Sequence, residues 1–127
     1  MRLFLCNLAI SVAIRAYGGD VPGSFFDAQV DWKKNKDSPE YQTYTSEFVQ
    51  FNNHFHLDEK SGCYALGKGE VTLMLVIGHD SGTEFADVKN VFSDSDSQEA
   101  RCFVNAYRGL KTKVPPYVPF VLQMGFE

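Results

Sequence analysis

The sequence predicts an α+β domain in which a small three-stranded antiparallel sheet packs against two helices in the order α-β-β-α-β. Three observations predict it. Aromatic residues recur at helical spacing from Tyr41 to Phe55. An uninterrupted apolar run, Val71 to Ile77, follows after a short connection. A cap-rich stretch then opens a helix around Ala100-Arg101-Cys102-Phe103, and Pro115-Pro116 precedes an alternating strand from Phe120 to Phe126.

The first helix has a defined start. Ser38 suits the N-cap, Pro39 the first helical position, and Glu40 the positive end of the dipole. Tyr41, Tyr44, Phe48, Phe51 and Phe55 then follow at alternating steps of three and four residues, which gathers them into one stripe suited to core packing. Val71 to Ile77 is rich in β-branched residues and does not alternate, as expected of a central strand covered on both faces. Gly78-His79-Asp80-Ser81-Gly82 reads as a hairpin turn. The strand after it, about Glu84 to Phe92, alternates imperfectly, and a bulge near Val88–Asn90 would restore one buried face.

Asp94-Ser95-Asp96-Ser97 is a cluster of cap residues, and Asp96 with Glu99 forms a capping-box-like pair. Ala100, Phe103, Tyr107 and Leu110 supply that helix with an apolar face, and Gly109 lies near its end. Phe120, Leu122, Met124 and Phe126 point to one side of the last strand, leaving Val121, Gln123 and Gly125 for the other. Pro119 at its start suits an edge. With Val71–Ile77 central, Glu84–Phe92 and Phe120–Phe126 are the two edges.

The N-terminus reads as a secretory signal over residues 1–18, followed by an N-terminal extension over 19–37 and the α+β domain over 38–127. Met1-Arg2 supplies a minimal basic region, and Leu3 to Ile14 is an apolar stretch of about 12 residues, short of the roughly 20 that cross a bilayer. Cleavage is expected after Ala16-Tyr17-Gly18, which leaves no integral membrane segment. Within the extension, Ser24 and Asp27 suggest the start of a short helix through Phe25, Phe26, Val30 and Trp32. The expected compartment is periplasmic or secreted, where the even pair left after cleavage, Cys63 and Cys102, forms a disulfide more readily than two buried thiols. Such a bridge closes a loop of about 40 residues, worth roughly 4 kcal/mol by chain entropy.

A net charge of −4, with lysines dispersed apart from the run Lys33-Lys34-Asn35-Lys36, argues against a nucleic-acid partner. No nucleotide-binding glycine loop, nucleophile elbow or Cys-x-x-Cys is present, so no catalytic residue and no cofactor is assigned. His54, His56 and His79 are weak metal candidates whose spacing matches no strong zinc pattern. Asp94 and Asp96 are read as helix caps.

The block from Gly62 to Phe126 resembles the C-terminal domains of the TonB and TolA envelope proteins, especially their cysteine-containing variants. The matching pieces are Gly69 to Ile77, the glycine turn after it, the helix carrying Cys102, and Pro115-Pro116 before the last strand. TolA-like domains similarly place one cysteine near the first strand and one in the helix before a Pro-Pro pair. TonB and TolA are anchored by a spanning helix and a long linker, neither of which is seen here, and the Tyr-Pro motif that often precedes the first TonB strand is missing. The resemblance therefore implies a relative of the domain without its own membrane anchor, working by contact with an envelope or outer-membrane protein. The expected contact is the edge strand Phe120, Val121, Leu122, Gln123, Met124, Gly125 and Phe126, whose free backbone groups can receive a peptide strand. Coverage of that edge by residues 17–36, or pairing of two copies into a homodimer, is the alternative. A small secreted inhibitor or effector and a histidine-based metal protein or enzyme are the competing functional readings.

Overall fold

Three capped helices and four antiparallel strands build the described part of the chain. The computed structural model describes residues 20–52, 62–63, 66 and 69–126. Helix α1 spans Phe25–Asn35, α2 spans Pro39–Phe51 and α3 spans Gln98–Tyr107. Strands β1 (Val71–Gly78), β2 (Ala86–Ser93), β3 (Lys111–Thr112) and β4 (Phe120–Phe126) form one sheet in the order β3-β2-β1-β4. The predicted signal segment, residues 1–18, lies outside the described residues.

Each helix starts where a hydroxyl can take an orphan amide. Ser24 Oγ accepts the Asp27 N–H at 3.1 Å and Ser38 Oγ accepts the Tyr41 N–H at 3.2 Å, with Pro39 at the first helical position. Helix α3 departs from the expected cap. Ser97, not Asp96, accepts the Ala100 N–H at 3.1 Å. Glu99 makes no capping box because it is buried and its Oε1 accepts the Gly69 N–H at 3.1 Å instead. Asp94 is no helix cap either: its Oδ1 accepts the Thr72 N–H at 3.0 Å, tying the end of β2 to β1.

β1 is central, as its unbroken apolar run predicts, and Leu73 to Ile77 are all buried. Its pairing with β2 slips between Val76↔Asn90 and Ile77↔Val88, which leaves Lys89 unopposed as a bulge at the expected place. Lys89 uses that position to clamp the hairpin, its Nζ lying 2.7 Å from Asp80 and 2.9 Å from Asp87.

On one face of the sheet, Leu73, Leu75, Ile77, Phe120 and Leu122 pack with Tyr44 and Phe48 of α2 and with Phe103 and Tyr107 of α3. Burial of each large apolar side chain there contributes about 1.5–3 kcal/mol. The other face carries a second cluster, Met74, Val76 and Val121 against Ala28 of α1.

Two expectations are corrected. The sheet has a fourth strand, because Gly109 at φ +82° turns the chain after α3. The Gly109 N–H then bonds the Val88 carbonyl and the Val88 N–H bonds Leu110, which zips Lys111–Thr112 onto β2. The short helix suggested from Ser24 forms as α1 over residues 25–35 and packs against the sheet, giving three described helices where the fold expectation counted two. As a result Val121, expected to face outward, is buried beneath Ala28.

Candidate functional site

β4 is anchored by aromatic contacts at both ends. Phe120 stacks on Tyr41 at 5.1 Å between ring centroids, meets Tyr44 edge-on at 4.6 Å, and lies 5.2 Å from Tyr117. Phe126 stacks on Phe103 at 4.1 Å and lies beside Tyr107. Between these anchors Leu122 is buried in the main core, Gln123 and Met124 are half-buried, and Gly125 is exposed. The chain enters the strand through a cis Val118–Pro119 peptide.

β4 pairs with β1 from Val71↔Phe126 to Ile77↔Phe120, and no described strand pairs with its other side. The Gln123 N–H points away from β1, since it donates to the Tyr41 hydroxyl at 3.4 Å. Backbone groups of an antiparallel strand alternate in direction, so those of Val121 and Gly125 share this outward orientation. Helices α1 and α2 lie on opposite faces of the sheet, and Trp32 touches both hydrophobic clusters. Their short connection, Lys36-Asp37-Ser38, therefore crosses from one face of the sheet to the other. Among the described residues, Tyr41 occupies the edge at Gln123 and Gly125 is exposed.

Two tyrosines near this edge are held protonated above the usual range. Burial pushes the Tyr41 hydroxyl above its usual pKa, against the opposing pull of hydrogen bonds with the Gln123 backbone, Trp32 and Thr45. Tyr117 is pushed up to about 12 by burial and by the nearby Asp31, Tyr41 and Glu40.

Cys63 and Cys102 lie at disulfide distance, with sulfurs 2.08 Å and Cα atoms 5.5 Å apart. Cys63 is buried and Cys102 half-buried. Glu99, one turn before Cys102 on α3, holds Gly69 through its backbone N–H. The bridge and this hydrogen bond thus fasten the approach to β1 onto α3 at two points.

The histidines do not assemble among the described residues. His79 sits after β1 with its Nε2 2.8 Å from the Thr83 carbonyl, a bond it donates in the Nε2–H tautomer. His54 and His56 lie outside the described residues. No group of three or more histidine, cysteine or acidic side chains is poised to hold a metal ion among the described residues, and no described helix is long and apolar enough to cross a membrane.

Two residues of this region escape a reading by sequence pattern. Tyr41 belongs to the aromatic stripe and looks like core alone, yet its hydroxyl reaches over the stripe to the edge of β4. Glu99 looks like a helix-start acid, yet it is 2% exposed and serves Gly69. No family model, curated protein or solved structure matches the chain. The TonB/TolA resemblance accordingly rests on the residues quoted for it.

Proposed function

We propose that the chain is an exported interaction domain of the TonB/TolA C-terminal kind that binds an envelope protein by strand addition to β4. The observation that carries this reading is that β4 is the outermost described strand, next to the buried central β1, with Gly125 exposed. The order β2-β1-β4, with α3 between β2 and β4 in the chain, is compatible with that topology. Cysteines at disulfide distance support an oxidising compartment. The partner strand would run alongside Val121 to Gly125. Displacing the long 3.4 Å bond between Gln123 and Tyr41 would lengthen the register available to it. Gly125 has no side chain to screen the backbone, which favours close approach there.

The test is site-specific photocrosslinking in the native host. A photoreactive residue at Gly125 or Gln123 is expected to yield a discrete adduct with an envelope protein, and one at Arg101 on α3 is not. Equal adducts from Arg101 would refute edge-strand binding. An intact mass beginning near Gly19, with alkylation only after reduction, is expected if the chain is exported and bridged. A mass retaining Met1 would refute export.

A further inference from the structure

We infer that the outer face of α1 is a second docking surface, and that its partner is a basic amphipathic helix of another protein. The inference is independent of strand addition at β4, because it concerns the side of α1 turned away from the sheet. The buried side of α1 is accounted for by Ala28, with Phe25 and Trp32 packed against the same cluster. Phe26 and Val30, one helical turn apart, project on the other side, 70% and 39% exposed, and Val21 joins them at 68%. These three apolar side chains line one shallow groove of about 600 Å³. A solvent-exposed helix face gains nothing from such residues, and their grouping in one groove offers a seat for the apolar side of a partner.

Charge selects the occupant. Among the described residues, Asp20, Asp27 and Asp31 line the same groove, against a single cation, Lys34. Burial pushes the Asp31 carboxyl up from its ordinary range, against the opposing effects of Asn35 and Lys34, so an incoming cation there offsets desolvation that Asp31 already bears. An apolar strip rimmed by carboxylates complements a helix with leucine-like residues on one face and lysine or arginine on its flanks. The same rim disfavours an anionic membrane surface, to which interfacial helices are drawn by lysine and arginine rather than by aspartate.

The experiment is fluorescence anisotropy of a labelled leucine–lysine helical peptide, with its leucines on one face, titrated with the full chain. Saturable binding that weakens with salt is expected, together with no binding of the same peptide carrying glutamate in place of lysine. Phe26→Asp is expected to weaken binding about tenfold or more, as for a central aromatic anchor. Phe26 is exposed, so this variant keeps its fold, which circular dichroism verifies. Val49→Asp, at another exposed apolar residue on α2, is expected to leave peptide binding unchanged. The proposal is overturned by equal binding of the glutamate peptide or an unaffected Phe26→Asp variant. It is also overturned by a dimer in sedimentation that Phe26→Asp dissolves, or by preferential binding to zwitterionic vesicles. Those last two outcomes assign the face to a second copy or to lipid.

Discussion

The Tyr41 hydroxyl accepts the Gln123 backbone N–H at 3.4 Å, joining positions 82 residues apart. One side chain thus serves two purposes, since the Tyr41 ring stacks on Phe120 within the core while its oxygen occupies an outward donor of the edge strand. Tyr41→Phe separates them. The ring contact is kept and the edge donor is freed, so the loss of stability is about 0.5–1 kcal/mol by urea titration. Hydrogen exchange at the Gln123 amide is expected to accelerate and strand-mediated association to increase. An unchanged exchange rate would show that Tyr41 does not guard the edge.

Phe120→Ala should be far more damaging. Phe120 is fully buried and three tyrosine rings, Tyr41, Tyr44 and Tyr117, surround it. Such a ring leaves a cavity between helix and strand that its neighbours fill only in part, at a cost of about 3–5 kcal/mol. The urea midpoint reports it. A loss below about 1 kcal/mol would mean that the tyrosines collapse into the space.

Replacing Cys63 and Cys102 by alanine is expected to cost about 2–5 kcal/mol, because the bridge joins positions 39 apart in the chain and constrains the unfolded state. Cys63 is only 1% exposed, so a thiol reductant should act slowly on the folded protein and quickly in urea. A melting temperature indifferent to the double substitution would remove the bridge from any account of stability.

Glu99 separates hydrogen bonding from charge. Its Oε1 accepts the Gly69 N–H, while its Oε2 is buried without a hydrogen-bond partner among the described residues. Glu99→Gln can keep the acceptor, so its stability is expected to stay within about 1 kcal/mol of the parent, whereas Glu99→Ala strands the Gly69 donor and costs about 1–3 kcal/mol. Equal losses in denaturant titrations of the two variants would mean that the carboxylate charge, not the acceptor, holds Gly69.

The parts legible in the sequence are those set by local chemistry. Ser38-Pro39 opens α2, the Val71–Ile77 run lies central, and the broken alternation after the hairpin becomes a bulge at Lys89. What escaped is set by tertiary contact. β3 is two residues long and exists because Gly109 brings it beside β2, so no periodicity could reveal it. Val121 alternates like an outward residue, but α1 covers the second face of the sheet. Asp96 and Ser97 are both competent caps, and the choice follows from Glu99 being drawn to Gly69. At the candidate edge, the strand could be read from Phe120 to Phe126, whereas the partial closure by Tyr41 could not, because a hydroxyl's partner depends on how helix and strand come together.

Alkaline titration gives a signed test of the tyrosine cluster. Tyr44 is pushed up to about 12, first by burial and also by the nearby Glu47. Its hydroxyl donates to the Lys113 carbonyl at 2.6 Å, a bond that the phenolate cannot make. Tyr117 likewise rises to about 12. In the unfolded chain both would ionise near pH 10. The folded state therefore holds protons that the unfolded state releases. The contribution of these groups is complete below about pH 10 and is lost as the pH rises towards 12. Ultraviolet titration of the folded protein should show at least three of its six tyrosines, Tyr41, Tyr44 and Tyr117, ionising later than free tyrosine, and the urea midpoint should decline above about pH 10. Tyr44→Phe should cost about 1 kcal/mol at neutral pH through the lost hydrogen bond and make the alkaline decline shallower. All six tyrosines ionising together near pH 10 in the folded protein would contradict the burial of Tyr44.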